Sequence, residues 1–272
     1  MNGRENVRTN VTVFVAVLFC AAAPAADGDG SINLRKYKLK GAAKPMAQIH
    51  DASGLAFSPV TKTIFSVNNA NCDIVEFGLD GSTQRLIKTT GFSDVEGIVH
   101  VGGNTFFVAE EGRGNICKIE ITPETKTLDY ASATVFKVDD GKLGNQGLEG
   151  VAYDPATKHF FCVKEKSPRK IYEIELPADG KAGPAKVTQP FDIEQNSLGL
   201  LDLSDIHFDP KSGHFLILSH ESHCVVEVTR EGKEVSRLIV GAVQEEGVTM
   251  DAERNVYVCS EPDQLYVFSA TK

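Results

Sequence analysis

Five segments of the chain repeat one order of apolar and polar positions. Each has a polar or acidic residue near the beginning of a short apolar strand, A. The chain then continues through a turn rich in Pro, Gly, Asn and Asp into a second apolar strand, B. A polar cluster ends strand B, and a third strand, C, alternates apolar with polar residues. No segment shows the sustained period of an amphipathic helix. The pattern predicts an all-β protein whose copies begin at Ala52, Val95, Leu148, Ser204 and Glu246.

The spacing of the copies predicts a β-propeller, because units of three or four antiparallel strands at intervals of roughly 40 to 56 residues are typical of propeller blades. A β-sandwich would not need matched copies. Residues 246–272 supply only strands A, B and C of the last copy. The segment Leu34 to Gly41 is therefore expected to add the missing outer strand and close the ring by pairing with the last blade. Five blades are favoured, and a sixth would need a degenerate copy near the N-terminus or in the stretch NSLGLLDLS.

The first 26 residues have a different character from the rest of the chain. Arg4 and Arg8 precede the apolar run Val11 to Ala23, and small residues around Pro24 follow it. This order is typical of a secretory signal peptide cleaved near Ala26, and an uncleaved N-terminal hydrophobic anchor is the alternative. Residues 27–272 are then expected to form a single β-propeller domain. The expected location is periplasmic or secreted, or the inner membrane if the anchor is retained.

Composition narrows the classes of partner. The chain is 42% hydrophobic, enough for a large core, and its formal net charge is −9. An acidic surface argues against nucleic acid as a partner and favours cations, and a monomer is expected. Five cysteines lie beyond the first 26 residues without any C-x-x-C pair, so we expect small buried hydrophobes, with one disulfide as the alternative. They are Cys72, Cys117, Cys162, Cys224 and Cys259.

The polar residues at the strand ends are expected to meet at one mouth of the central channel. In an antiparallel pair the start of strand A lies beside the end of strand B. The residues at the start of A are Ser53, Glu96, Glu149, Asp205 and Glu246. Those at the end of B are Asn68, Asn69, Glu110, Glu111, Lys164, Glu165, His220, Glu221, Ser260 and Glu261.

Carboxylates crowded at such a mouth would repel one another, and a hard divalent cation would compensate. Ca²⁺ takes six to eight oxygen ligands, and no cysteine stands at these strand-end positions, which disfavours a thiolate zinc site. The predicted metal ligands are Glu96, Glu149, Asp205, Glu246, Asn69, Glu111, Glu165, Glu221 and Glu261. In the alternative, the acids cap strand ends and hold water, and nearby lysines such as Lys164 and Lys166 neutralise part of the ring. The glycine after three of the acids is expected to let the backbone approach the crowded axis.

Two further features leave alternatives open. His220 and His223 flank Glu221 and are interpreted as solvent-facing loop residues, with a zinc site as the alternative. The stretch Phe191 to Leu203 is either a lid over the mouth or padding at the rim.

Several motifs resemble the SdiA-regulated, YjiK-like family of β-propeller proteins. They are SGLAFSPVTKTIFSVNN, GFSDVEGIVHVGGNTFFVAEEGRGNI, NQGLEGVAYDPATKHFFCVKEKSPRKIYEI, LSDIHFDPKSGHFLILSHES and EEGVTMDAERNVYVCSEPDQLYVF, from about residue 45 onward. The resemblance implies a periplasm-facing propeller, often with an N-terminal hydrophobic segment. The chain is also distantly similar to calcium-dependent lactonase propellers such as gluconolactonase and to esterase-like phytases. In those families Glu, Asn and Asp at the central mouth surround Ca²⁺, a role that by position would fall to Glu96, Glu149, Asp205 and Glu246.

Two functions follow. The first is an exported binding protein whose acidic mouth holds a divalent cation and a small ligand or protein partner. The alternative is a calcium-dependent hydrolase of a lactone or phosphoester, in which the metal polarises the substrate and a carboxylate acts as base. The sequence contains no G-x-S-x-G elbow, P-loop or H-E-x-x-H motif, so no catalytic residue is assigned.

Overall fold

The computed structural model describes residues 30–138, 147–196 and 198–271, so the predicted signal peptide or anchor lies outside the described residues. In this part of the chain no helix is long and apolar enough to cross a membrane.

Two 3₁₀ turns cover Leu34–Lys36 and Tyr130–Ser132. The strands are β1 (Tyr37–Leu39), β2 (Lys44–Pro45), β3 (Ala52–Ser58), β4 (Thr63–Asn68), β5 (Ile74–Phe77), β6 (Thr83–Thr90), β7 (Val95–Gly102), β8 (Thr105–Glu110), β9 (Asn115–Glu120), β10 (Thr127–Asp129), β11 (Thr134–Lys137), β12 (Leu148–Asp154), β13 (His159–Lys164), β14 (Lys170–Glu175), β15 (Gly183–Pro184), β16 (Lys186–Thr188), β17 (Asp205–Asp209), β18 (His214–Ser219), β19 (Cys224–Val228), β20 (Glu234–Ile239), β21 (Glu245–Met250), β22 (Val256–Ser260) and β23 (Gln264–Ala270).

The strands form five sheets, which are the blades of a five-bladed β-propeller, as the repeats predict. From the axis outward, blade 1 is β3-β4-β5-β6-β10 and blade 2 is β7-β8-β9-β11-β15. Blade 3 is β12-β13-β14-β16, and blade 4 is β17-β18-β19-β20. Blade 5 is β21-β22-β23-β1, with β2 also paired to β23. Strand β10 joins blade 1 and β15 joins blade 2 by parallel pairing, so segments between blades extend the outer edges of earlier ones.

The ring closes between the two ends of the described chain, which confirms the prediction for the N-terminal segment. Strand β1 pairs antiparallel with β23, with Tyr37 opposite Ala270 and Leu39 opposite Phe268. Beyond that register the Thr271 N–H donates to the Lys36 carbonyl at 2.8 Å. An early segment therefore supplies the outer strand of the last blade.

Phenylalanines of the B strands hold neighbouring blades together. The Phe65 and Phe106 rings of blades 1 and 2 lie 4.7 Å apart, and the Phe107 and Phe160 rings of blades 2 and 3 lie 4.3 Å apart. Phe161, on the other face of blade 3, is fully buried against blade 4. Consecutive Phe residues face opposite blades because side chains alternate along a strand. Each such burial stabilises the fold by about 1.5–3 kcal/mol.

All five cysteines of the described residues are buried and free, so the expectation of buried hydrophobes is confirmed and the disulfide alternative is wrong. Four of them lie in strands, and Cys72 lies two residues before β5. Burial raises the pKa of the Cys117 and Cys162 thiols well above the usual value, which keeps them protonated.

The segment from Phe191 to Leu203 packs between blades 3 and 4. Phe191, Ile193 and Leu200 are buried in the same core cluster as Phe161 of β13. The described residues of this segment therefore act as padding rather than as a lid over the mouth.

Candidate metal centre at the acidic mouth

The acid-glycine step at the start of the inner strands is a β-bulge. In β7 the pairing passes from Val95 to Gly97 while the partners in β8 are adjacent, so Glu96 is the extra residue. The register shifts in the same way around Glu149 in β12, Glu246 in β21 and Gly54 in β3. A bulge bends its strand and re-aims the extra side chain. The repeated acid is therefore the residue that leaves the ladder at the mouth.

The glycine of the step is needed because neighbouring inner strands touch backbone to backbone. A Cβ added to Gly97 would lie 2.5 Å from the Glu149 carbonyl oxygen, in the next blade. A Cβ on Gly54 would lie 2.7 Å from the Glu96 carbonyl oxygen, and one on Gly247 would lie 2.8 Å from the Gly54 carbonyl carbon. This confirms the expected close approach at the axis.

Asp205 occupies the glycine position of blade 4 rather than the acid position. In β12 and β17 the paired residues Asp154 and His159 correspond to Asp209 and His214, which places Asp205 level with Gly150. Aligning the five copies on their acidic residues therefore misplaces blade 4 by one position. A one-residue step along a strand changes the side on which a residue lies.

The carboxylate of Asp205 ties inner strands together below the mouth. Its Oδ1 accepts the Ile206 N–H at 2.8 Å, and its Oδ2 accepts the Val248 N–H of blade 5 at 2.7 Å. Burial raises the pKa of Asp205 to about 8, although these backbone N–H groups act in the opposite direction. Both oxygens have partners within the protein, so the structure gives Asp205 a place in the axis rather than at the mouth.

Three carboxylates meet at the mouth between blades 1, 2 and 3. Ligand oxygens of Asp94, Glu96 and Glu111 all lie within 4.8 Å of one another, and the two glutamates are buried. The Gly147 N–H donates to Glu111 Oε1 at 2.9 Å and holds that side chain in place. We call these three residues the acidic triad. Asp94 is absent from the sequence prediction, although it stands only two residues before Glu96 in the motif DVEG.

The model of the SdiA-regulated family matches residues 29–269. The chain belongs to the SdiA-regulated family.

Solved structures share the fold of this SdiA-regulated protein at low identity. The glutaminyl cyclase of Myxococcus xanthus superposes with a TM-score of 0.60 at 12% identity, covering 87% of this chain and 97% of that one. Regucalcin from Agrobacterium tumefaciens, a calcium-binding protein, gives 0.54 at 12% identity, covering 84% and 91%. A luciferin-regenerating enzyme gives 0.53 at 12% identity, covering 85% and 95%. At these identities the likeness shows the propeller fold alone.

Glu96 and Glu111 of the SdiA-regulated protein hold protons more strongly than ordinary carboxylates. Burial, followed by the charges of Glu111, Asp94 and Glu261, raises the pKa of Glu96 to about 7, while a hydrogen bond from Ser53 opposes the rise. Burial and the charge of Asp94 raise the pKa of Glu111 to about 7, against the Gly147 N–H. Desolvation and like charges both disfavour the ionised forms.

Glu149, Glu246 and Glu261 belong to the same electrostatic cluster. Burial raises the pKa of Glu149 well above its usual value, and the charges of Glu96 and Glu111 add to the rise. Burial, with the charges of Glu261 and Glu96, raises the pKa of Glu246 to about 8. Gln244 Nε2 donates to Glu261 Oε2 at 2.5 Å. The structure thus brings together acids from blades 2, 3 and 5.

Glu165 and Glu221 differ from these acids because both form ion pairs with the side chain of one lysine. Lys166 Nζ lies 2.7 Å from Glu165 and 2.8 Å from Glu221, and these hydrogen bonds raise the Lys166 pKa. The same lysine lowers the pKa of Glu221. Neutralisation by lysine, the sequence alternative, therefore applies to this pair. Lys164 lies next to it at the end of β13 and contacts the Lys166 carbonyl.

The two histidines face different carboxylates. His220 Nδ1 lies 3.7 Å from Glu246 and 3.8 Å from Asp202, at the place after strand B that Glu111 occupies in blade 2. His223 Nδ1 lies 3.0 Å from Glu245, and the two imidazole rings are 6.5 Å apart. His220 thus lies at the mouth, as its place at the end of strand B predicts, and it faces carboxylates as well as solvent.

Asn69 stands at the equivalent place in blade 1. It follows the end of β4, and its N–H donates to the Asp51 carbonyl at 2.9 Å. Its side chain is half-buried. Asn68, directly before it, is buried with its side-chain oxygen unpaired in the described part of the chain.

Proposed function

We propose that the acidic mouth binds a divalent cation, with Ca²⁺ as the preferred ion and the acidic triad as the centre of the ligand set. The observation that carries the proposal is the approach of three carboxylates to within 4.8 Å, two of them buried. Hard cations take carboxylate oxygens as ligands, and no thiol stands at this mouth among the described residues. The donor set therefore fits Ca²⁺ better than a thiolate-bound zinc.

The balance of charge supports the same proposal. Glu96, Glu111, Glu149 and Glu246 all have raised pKa values, which reflects the cost of holding several buried charges together. Lys166 is already paired with Glu165 and Glu221. A bound divalent cation would balance the negative charge of these carboxylates, which otherwise hold protons to reduce their mutual repulsion.

The other predicted ligands take different places in this proposal. Glu149 and Glu246 lie close enough to the triad for their charges to interact with it. We propose that they bind the ion from the side or hydrogen-bond to its coordinated waters. Glu261 and Asn69 stand at neighbouring ends of B strands. Asp205 would act as support below the ion rather than as a ligand.

Regucalcin, a calcium-binding propeller of similar fold, supports the choice of ion by analogy only. For the whole protein we propose an exported propeller whose bound ion receives a small ligand or a protein partner at the open mouth. Export or membrane anchoring is tested by cell fractionation with N-terminal sequencing of the product. A full-length cytosolic protein would contradict export.

A calcium-dependent hydrolase of lactones or phosphoesters is the second candidate. The observation that favours it is the concentration of buried carboxyl groups with raised pKa values at the mouth, since perturbed pKa values are frequent at active sites. A lactone and phosphoester panel assayed with Ca²⁺ separates the candidates. Turnover that disappears in Glu149→Gln would establish the hydrolase, and no turnover by the metal-loaded protein would leave the binding function.

Calorimetric titration of chelator-treated protein with Ca²⁺, Mg²⁺ and Zn²⁺ tests the cation site. We expect saturable binding of Ca²⁺, and at least about a tenfold loss of affinity in Glu111→Gln, because one charged ligand is removed. Glu221→Gln is the matched control, since Glu221 is paired with Lys166 away from the triad. Absence of heat together with an unchanged melting temperature would refute the proposal.

A further inference from the structure

The first part of the propeller carries a positive charge that the rest of the chain does not share. From Ser31 to Ile49 the sequence contains five lysines and arginines and no aspartate or glutamate. The chain has a formal net charge of −9 and this segment contributes +5, so all other residues together carry −14. The acidic character of the composition is therefore an average over two regions of opposite sign.

Four of these cations lie along the outer edge of blade 5. Arg35, Lys36, Lys38 and Lys40 are all exposed, and they belong to β1 or to the residues next to it. We call these four residues the basic edge. Lys38 and Lys40 are two positions apart in extended backbone, so their side chains leave the strand on the same side. Leu39, between them, is also exposed.

The backbone of the basic edge is fixed, although its side chains are exposed. Tyr37 is buried, and its hydroxyl donates to the Arg254 carbonyl at 2.9 Å. The Lys40 N–H donates to the Val267 carbonyl at 2.7 Å, which continues the pairing of β1 with β23. The sheet therefore holds these charges at one place on the surface.

Cations at the outer strands of other blades have acidic partners, whereas those of the basic edge do not. On blade 1, the two cations of β6 lie 2.5 and 2.7 Å from a carboxylate oxygen. Lys186 of blade 3 lies 2.7 Å from Glu175. Arg237 of blade 4 lies 2.7 Å from Glu234. Among the described residues, no side chain of the basic edge has a carboxylate within ion-pair distance. Its charges are left to attract an anionic surface.

The basic edge is also close in the sequence to the apolar run Val11 to Ala23. Arg35 follows Ala23 by twelve residues, and a chain of that length spans at most about 40 Å. An anchor retained in this run would therefore keep the edge of blade 5 near the bilayer. Basic segments next to a membrane anchor bind anionic lipid headgroups.

We propose that the basic edge docks the propeller on an anionic lipid bilayer, with the outer edge of blade 5 toward the headgroups. The exposed Leu39 and the apolar run nearby favour a lipid surface over nucleic acid, which would gain nothing from apolar groups. Because the acidic mouth is formed at the inner strands, docking through the outermost strand leaves the mouth open. The docking surface is distinct from the cation site and does not depend on it.

Brief lysine acetylation, analysed by mass spectrometry, tests the proposal on the full chain. The probes are vesicles of phosphatidylcholine alone and vesicles in which about one lipid in three is phosphatidylglycerol. We expect Lys36, Lys38 and Lys40 to react at least about fivefold more slowly on the anionic vesicles only. The protection should disappear in about 0.5 M salt, which screens the attraction. Lys181 and Lys186, which are exposed beyond β14, are the internal control and should react equally in all samples.

Two double variants locate the docking surface. Lys38→Gln with Lys40→Gln removes two charges, each of which strengthens binding to an anionic surface roughly fivefold. This protein should need at least about tenfold more anionic lipid for the same protection of Lys36. Lys181→Gln with Lys186→Gln removes the same charge elsewhere and should leave the lipid dependence unchanged. Both proteins should keep Ca²⁺ binding at the mouth.

Three results would each overturn the proposal. They are equal reactivity of the basic edge on the two kinds of vesicle, equal protection of Lys181 and Lys186, and an unchanged lipid dependence after the substitution of Lys38 and Lys40. The first result would assign these lysines to another role, in which their charges keep an edge strand from pairing with a second chain.

Discussion

Asp205 of blade 4 fills the space where Gly150 of blade 3 would carry a Cβ atom. The two residues belong to adjacent inner strands at the same level of the axis. The side chain of one therefore depends on the absence of a side chain in the other, and the pair closes the axis below the acidic mouth.

Gly150→Ala is expected to destabilise the protein by about 1–3 kcal/mol or more, because the added methyl group overlaps Asp205 and the adjacent backbone. Chemical denaturation measures the loss. Gly180→Ala is the control, since a Cβ there meets nothing within 4 Å and only backbone strain at positive φ is added. Equal effects of the two substitutions would contradict close packing at the axis.

Stability of the calcium-free protein should fall as pH rises from about 5 to about 8. Glu96 and Glu111 have pKa values of about 7 in the folded protein, and Glu246 about 8, all above the ordinary value of 4.5. In this window the folded state keeps protons that the unfolded state has lost, so rising pH favours unfolding. Thermal melts in chelator across this range measure the effect. A melting temperature that stays constant or rises would show that the pKa values of these carboxyl groups are not raised in the folded protein.

Binding of Ca²⁺ should release protons and weaken as pH falls. Because the ion needs ionised carboxylates while Glu96 and Glu111 titrate near 7, the apparent affinity should drop at least about tenfold from about pH 8 to about pH 6. Calorimetry in buffers of different ionisation enthalpy counts the released protons. The same heat in every buffer would mean that the ligands are already ionised.

The segment Leu34 to Gly41, which closes the ring, contains two leucines that differ in burial and can be compared by substitution. Leu34 is fully buried, and Leu39 is 46% exposed. Leu34→Ala should cost about 2–5 kcal/mol, because it leaves a cavity next to the last blade. Leu39→Ala should change the free energy of unfolding by less than about 0.5 kcal/mol. Similar small effects of both would show that this segment adds little to ring closure.

The thiols of the propeller should be inert until the protein unfolds. Cys72, Cys117, Cys162, Cys224 and Cys259 are buried and free, and burial raises the pKa values of their thiols. Site-resolved alkylation should label them only in denaturant, without prior reduction. Labelling that requires a reductant would reveal a disulfide.

The repeat could be predicted from the sequence because it depends on the alternation of apolar and polar residues along each strand and on residues that favour turns. The apolar B strands with their consecutive phenylalanines predict two buried faces, and the truncated last copy predicts closure by Leu34 to Gly41. At the mouth, Glu96, Glu149 and Glu246 could be found because each stands directly before a glycine in the same bulge. The family followed from these same motifs.

The sequence by itself determined the strand pattern, the five blades and the set of acids available at one end of them, since these follow from side-chain alternation and antiparallel pairing. Only the tertiary structure placed Asp205 below the mouth and brought Asp94 to Glu111. The reason is physical. A shift of one residue along a strand changes the direction of a side chain, and distances between blades are set only when the ring closes.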